Sequence, residues 1–193
     1  EKDNALWVVS KTKVKINELP RWNDEISVRT WPMGAEGVRC NRCYQIIKDG
    51  EILINGITEW VIIDASTRTL RKVETTSYPN DIDWIKEKSI EDRFRRFKDD
   101  FTEDDFVYKR LIRSGDIDVT HHVNNVTYIT MLLDTFSVNE LESMTLKDIE
   151  ISYLNESLEG ETLSIYRKKA DDGYYFKIMK DDGKTAVMAY ILL

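Results

Sequence analysis

The sequence predicts an α+β protein in which antiparallel sheets each wrap a central helix, with that unit present twice. Three observations predict it. Stretches of alternating apolar and polar residues are separated by Asp-Gly turns at Lys48-Asp49-Gly50, Asp171-Asp172-Gly173 and Asp181-Asp182-Gly183, a strong short-range hairpin signal. The run Val126, Ile129, Met131, Leu132, Leu133 and Phe136 reads as a mainly buried helix. Strands and turns follow one another in the same order in the two halves of the chain, which argues for an internal duplication. A sheet with one apolar face and a helix of this kind must bury against each other.

The elements follow in order. The first copy opens with the tail of a helix over residues 4–9 and continues into a strand over residues 13–17. A turn around Leu19-Pro20-Arg21-Trp22-Asn23-Asp24 leads to an alternating strand over residues 25–31. A third strand spans residues 37–47, and the hairpin at Gly50 returns it as a long strand over residues 51–64. The second copy begins with the apolar helix over residues 126–136, with Asn124 and Asn125 as candidate N-caps. Strands over residues 147–153, 161–166 and 174–180, and a final strand from the Asp181-Asp182-Gly183 turn to Leu193, complete it. Between the copies lies a polar, charged stretch with Pro79 and the run Asp92-Arg93-Phe94-Arg95-Arg96-Phe97-Lys98-Asp99-Asp100. It reads as a solvated linker with a short helix or two. The expected division is a first repeat over residues 1–75, a linker over 76–108 and a second repeat over 109–193.

Composition narrows the function. With 193 residues, 41% hydrophobic and 33% charged, the chain has material for a core and is not of disordered composition. A net charge of −7 and a pI near 5.0 argue against binding nucleic acid or an anionic membrane through overall charge. No apolar run approaches the length that spans a membrane, and no secretory signal is visible. Cys40 and Cys43 are spaced as in redox or zinc motifs. Residues three apart on a strand point to opposite faces, so these thiols do not converge, and reduced cysteines fit an intracellular compartment. Lys11, Lys13 and Lys15 alternate along one strand face, as on the solvent side of a half-buried sheet. A docking patch for an acidic partner is the other reading of that row.

Chemistry concentrates in Asp116-Ile117-Asp118-Val119-Thr120-His121-His122-Val123-Asn124-Asn125. Both histidines of the chain stand there, directly before the apolar helix. Histidine is the side chain whose unperturbed pKa sits near neutrality, which makes His122 the natural base. Asp118, four residues earlier, could orient the imidazole, and the N–H groups at the helix start could receive a carbonyl oxygen. A metal is not expected: adjacent His121 and His122 point apart, and no third histidine exists. Taken alone, the same residues also suit an ordinary helix cap.

The segment Asp-x-Asp-x-(polar)-x-His-Val-Asn-Asn-x-x-Tyr, ending at Tyr128, resembles the signature of acyl-acyl carrier protein thioesterases. The resemblance continues in Leu6-Trp7-Val8-Val9-Ser10-Lys11, Thr30-Trp31-Pro32, Gly37-Val38-Arg39 and Glu59-Trp60-Val61-Ile62-Ile63-Asp64, and in the second half at Ile149 to Glu156. It implies a tandem double hot-dog fold whose first repeat here lacks the leading strand and helix start. It also implies a thioester hydrolase without cofactor, acting on acyl carrier protein to release a free fatty acid. The catalytic set it implies is Asp118, Thr120, His122 and Glu156, with Asn124, Asn125, Trp7 and Trp60 toward substrate. Glu156, placed on a second-half strand, could activate water. Two positions depart from the family pattern: Thr120 stands where Asn is usual, and Ser157 where plant members often carry Cys. Thr offers one hydroxyl with shorter reach than an amide. Two alternatives remain open, an acyl-CoA thioesterase and a noncatalytic acyl-binding protein. The expected location is the cytoplasm, or the plastid if a transit peptide precedes Glu1, and the expected state a monomer or homodimer.

Overall fold

A computed structural model describes residues 4–79 and 82–193 of the chain. The opening Glu1-Lys2-Asp3, and Asn80 and Asp81 of the expected linker, lie outside the described residues. The chain divides into two compact units, one up to Phe94 and one from Arg95 onward.

The first unit is an antiparallel sheet of β1 (Ala5–Ile16), β2 (Ser27–Glu36), β3 (Arg39–Lys48) and β4 (Glu51–Asp64) in the order β2-β3-β4-β1, with the short β5 (Leu70–Arg71) on β4. The helix tail expected over residues 4–9 is instead the start of β1. Leu6-Trp7-Val8-Val9 is too short a run for periodicity to separate the two structures, and its β-branched and aromatic residues suit a strand. The hairpin at Gly50 forms as expected, with Asp49 and Gly50 both at positive φ.

Register divides the side chains of this sheet between two faces. Trp31, Cys43, Ile57 and Lys13 lie in one row across β2, β3, β4 and β1. Cys40 pairs with Trp60 on the opposite face, so the two buried thiols face apart as alternation requires. The row of Lys11, Lys13 and Lys15 is not a solvent face. Lys13 is only 3% exposed and donates to the Arg93 carbonyl at 3.0 Å. Lys15 pairs with Asp92, and Lys11 stands 5.3 Å from the centre of the Phe94 ring. The segment that covers them comes from the expected linker. It crosses the sheet strand by strand: Trp31 Nε1 donates to the Glu87 carbonyl at 2.9 Å, Ser89 Oγ to the Gly56 carbonyl at 2.6 Å, and Ile90 joins the core of Trp31, Met33, Cys43 and Ile57.

The second unit repeats the device on its own strands. Here α1 (Asn125–Leu133) and α2 (Val138–Ser143) accompany β6 (Phe106–Leu111), β7 (Asp148–Tyr153), β8 (Thr162–Lys169), β9 (Gly173–Lys180) and β10 (Thr185–Leu192), in the order β7-β10-β9-β8-β6. Two rows of one face run inward: Ile151 pairs with Ala189 and Ala189 with Phe176 in one, Val187 with Ile178, Ile178 with Ile165 and Ile165 with Tyr108 in the other. This face packs with Tyr128, Met131 and Leu132 of α1 in one core. α1 stops at Leu133, short of the expected 136, because the Thr135 hydroxyl takes the Leu132 carbonyl at 2.7 Å and Arg167 takes the Thr135 carbonyl at 2.8 Å. α2 was not among the expected elements, although Ser137 and Glu140 form a reciprocal capping box at its start.

On the outer face, residues 95–101 lie across the strands in turn. Arg95 pairs with Glu150 of β7 and stacks on Tyr190 of β10. Phe97 meets Tyr175 of β9 edge-on, Lys177 takes Asp99 at 2.8 Å, and Phe101 meets Tyr166 of β8. The short helices expected between the repeats are absent from the described residues 82–102, where the chain is an irregular strap. One-turn 3-10 helices flank it at Val73–Thr75 and Glu103–Asp105.

Tyr108 ties β6 to α1, donating to the Met131 carbonyl at 2.9 Å. Burial, with a smaller push from Asp134, raises its phenol from 10.0 to about 12. A raised folded pKa means stability that is full below the unfolded value and is lost as pH climbs between the two. The melting temperature is therefore expected to fall between pH 10 and pH 12, and Tyr108→Phe is expected to flatten that decline at a cost of about 1 kcal/mol at neutral pH. A thermal melt series in pH checks both.

Candidate active site

The residues that carry the site lie within the second unit, on two loops that flank its core. The first loop runs from Asp116 to the start of α1. Its base is closed by the Ile117–Val123 bridge and by Asp118 N–H donating to the His122 carbonyl at 2.9 Å. Such a narrow loop needs a residue at positive φ, and His121 supplies it at 64°. Asp116, the first acid of the motif, turns inward as an anchor. Its carboxylate takes Arg110 at 2.6 Å and the Arg113 N–H at 3.0 Å, and its carbonyl takes the Asn124 N–H at 2.8 Å.

Asp118, Thr120 and His122 form a line along this loop. Asp118 Oδ1 accepts from the Thr120 N–H at 2.8 Å and from the Thr120 hydroxyl at 2.6 Å. Thr120 Oγ1 lies 3.2 Å from His122 Nδ1. Hydrogen bonding from the Thr120 hydroxyl, followed by the Thr120 and His122 backbone, holds the Asp118 carboxyl below its usual range. An ionised carboxylate accepts only, so the single hydroxyl proton of Thr120 goes to Asp118. Thr120 Oγ1 can then only accept from His122, which places a proton on Nδ1.

The line continues into the second loop. His122 Nε2 stands 3.2 Å from Glu156 Oε2, with side-chain exposures of 30% and 38%. Glu156 is not on a strand, as the sequence suggested; it lies three residues beyond β7. The backbone joins the loops where the side chains meet, since the Val123 N–H donates to the Ser157 carbonyl at 2.9 Å. With Nδ1 already protonated, the Nε2–Oε2 contact requires one further proton between its atoms. The result is a carboxylate–hydroxyl–imidazole–carboxylate relay with a half-exposed proton site at its open end, suited to general acid–base chemistry.

The other expected residues take varied places. Asn124 is the N-cap of α1, its Oδ1 taking the Val126 N–H at 2.9 Å, and Asn125 is the exposed first residue of that helix. Trp7 and Trp60 belong to the first unit and share one face of its sheet. Trp7 is 40% exposed and packs on Tyr78, which stacks on Trp84. Ser157 is fully buried. Tyr128 went unnoticed in the sequence as more than core. Its ring is buried, and burial raises its phenol, with Ser157 opposing and Glu161 and Glu156 adding to the rise. Its place at the end of the family motif, six residues after His122, was the available signal. No group of three or more potential metal ligands occurs among the described residues, and no helix there is long and apolar enough to cross a membrane.

A helix laid on an antiparallel sheet, with an acid–base relay where the loops meet, defines a hot-dog protein of the thioesterase kind. Sequence models of the acyl-ACP thioesterase N-terminal and C-terminal domains match residues 1–78 and 100–191, and the chain belongs to the acyl-ACP thioesterase family. A chloroplastic acyl-[acyl-carrier-protein] hydrolase of Cuphea viscosissima is 29% identical over 93% of this chain and 46% of its own length. The chloroplastic palmitoyl-acyl carrier protein thioesterase of Arabidopsis thaliana is 32% identical over 80% of this chain and 39% of its own. The chain thus spans less than half the length of these relatives. The same fold is seen in an acyl-ACP thioesterase from Bacteroides thetaiotaomicron, with TM-score 0.83, 22% identity and coverage of 99% of this chain and 77% of that one. The 12:0-ACP thioesterase from Umbellularia californica gives 0.84, 19%, 99% and 76%.

Thr120→Val keeps the shape of Thr120 and removes both of its bonds. The nitrogen-15 signals of His122 are expected to lose the signature of a proton fixed on Nδ1, while stability changes by less than about 0.5 kcal/mol, as at other surface positions. In the unmodified chain that signature is expected in mildly alkaline solution, where an imidazole carries a single proton and Asp118 is ionised. A single proton found on Nε2 instead would contradict the relay.

Proposed function

We propose that this chain hydrolyses acyl thioesters carried on acyl carrier protein, with water as the nucleophile. The observation that carries the reading is the unbroken line Asp118–Thr120–His122–Glu156, held at 2.6 Å, 3.2 Å and 3.2 Å. Family membership supplies the substrate class.

Glu156 takes a proton from water on its other carboxylate oxygen as the water oxygen adds to the thioester carbonyl carbon, the proton shared with His122 Nε2 staying in place. Negative charge on the carbonyl oxygen is met by the Asn125 N–H at the start of α1, the Val126 and Thr127 N–H groups being held by Asn124. Collapse of the tetrahedral species breaks the carbon–sulfur bond. Glu156 returns that proton to the departing pantetheine thiolate, leaving a free fatty acid. Asp118 and Thr120 hold the imidazole in one tautomer throughout. Full burial of Ser157 argues against a covalent route through the position where plant relatives often carry a thiol. Trp7 and Trp60 are assigned to the acyl side, and Asn124 and Asn125 to the substrate end of α1. No metal or organic cofactor enters this scheme. The chain works as a monomer or homodimer where acyl carrier protein is found, in the cytoplasm or a plastid.

Steady-state hydrolysis of a panel of acyl-carrier-protein and acyl-CoA thioesters tests this. His122→Ala and Glu156→Ala are each expected to lower kcat by about a hundredfold or more, with carrier-protein substrates preferred. Thr120→Asn, which restores the commoner family residue, is expected to retain turnover where Thr120→Val does not. A folded protein that turns over no thioester, or variants as active as the parent, would exclude the scheme.

A further inference from the structure

The inner face of β9 reads Tyr174, Phe176, Ile178 and Lys180, three apolar rings or branches and then an ammonium. Lys180 lies on the same row as Leu163 of β8, which is itself fully buried. The side chain of Lys180 is only 14% exposed. A long flexible cation is put in such a place at a cost in desolvation and side-chain entropy, so its partners are informative.

Those partners all belong to the loop that carries Glu156. Lys180 Nζ donates to the carbonyl oxygen of Glu156 itself at 2.8 Å and pairs with Glu161 Oε1 at 3.0 Å. The other oxygen of Glu161 takes the Leu158 N–H at 3.1 Å, which closes the loop on itself. From the far side of the β9–β10 turn, the Thr185 carbonyl accepts from Asn155 Nδ2 at 2.7 Å, and the Ala186 carbonyl from the Leu154 N–H at 2.8 Å. The turn itself requires Gly183 at φ 83°. The β9–β10 hairpin therefore grips the chain on both sides of Glu156, and Lys180 holds the peptide group immediately after its Cα. On the opposite side, the next carbonyl, that of Ser157, is held by Val123, the neighbour of His122.

We propose that Lys180 is a positioning residue: through the Glu156 carbonyl and Glu161 it sets the Glu156 carboxylate at bonding distance from His122 Nε2. The Lys180 ammonium is engaged by the Glu156 carbonyl and Glu161, so it acts through Glu156. The kinetic part of this inference rests on the hydrolysis proposed above; the geometric part does not. Small displacements of a reacting group cost rate out of proportion to their size, so a clamp of this kind acts on kcat.

The test is a histidine-labelled spectrum of the full chain beside kinetics on an acyl-carrier-protein thioester. The chain has two histidines, and exposed His121 serves as an internal reference. Lys180→Met is expected to move the His122 ring signals toward their position in Glu156→Gln while leaving His121 in place. It should lower kcat by about ten- to a hundredfold with KM within about twofold of the parent, and Lys180→Arg should recover most of both. If Lys180→Met does not fold, Lys180→Gln, which keeps a polar head but is too short for the Glu156 carbonyl, is read in the same way. Unmoved His122 signals in a folded Lys180→Met or Lys180→Gln chain would overturn the inference. Moved signals in a chain that hydrolyses no thioester would uphold the clamp and remove the hydrolysis reading instead.

Discussion

Everything in the second unit depends on one constraint of register. The rows across β7, β10, β9, β8 and β6 must present Ile151, Ala189, Phe176, Ile178 and Ile165 to the same side, or α1 has no surface to bury against. A slip of one residue in any strand would turn its apolar set outward and bring the polar one in. Burial of α1 in turn fixes the direction of the loop that enters it, because Asn124 caps the helix and is held by the Asp116 carbonyl. His122 lies two residues before that cap. The position of the imidazole is thus inherited from hydrophobic packing, and only its tautomer and partners are set by polar groups.

The same register sends Glu150, Tyr190, Tyr175, Lys177 and Tyr166 to the outer side, and there a different solution applies. Residues 95–101 supply arginine for carboxylate, ring for ring and carboxylate for ammonium. In the first unit, residues 87–94 do likewise over Trp31, Cys43, Lys13 and Lys15. In the second unit a sheet face rich in polar side chains is thereby covered by matching polar groups and rings, while in the first the strap also adds Ile90 and Phe94 to an apolar core. Most of these ion pairs have one well-exposed partner and contribute little each; the rings and the buried stems of Lys13 and Lys177 supply the packing.

These contrasts explain what could be read from the sequence. The Asp-Gly turns, the alternating strands of the second half and the buried helix were legible because each is local. The placing of Asp118 close to His122 was legible for the same reason, whereas Thr120 entered only through family resemblance. Glu156 was reached only through family resemblance, and its seat on a loop beyond β7 follows from tethers to Lys180 and Thr185 that are distant in sequence. Ala5 to Val9 misread as helix because four apolar residues in a row carry no period. The strap misread as solvated linker because its charges match those of the faces beneath it, and nothing in either stretch alone reveals the other. Lys13 shows this most sharply: alternation placed it correctly on a strand, yet the side it faces is covered from residues eighty positions away.

That separation in sequence has a kinetic consequence. The hairpins close short loops, whereas the strap bonds Lys13 to Arg93 and Lys177 to Asp99 across 80 and 78 residues. Its contacts have no surface to form on until strands from both ends of each sheet are in place. By this topology the strap is expected to dock late in folding, once the strands beneath it have assembled. Substitutions along residues 87–101 then act chiefly on the rate at which the native state opens and only weakly on the rate at which it is reached. The segment least recognisable as structure in the sequence governs how long the folded molecule persists.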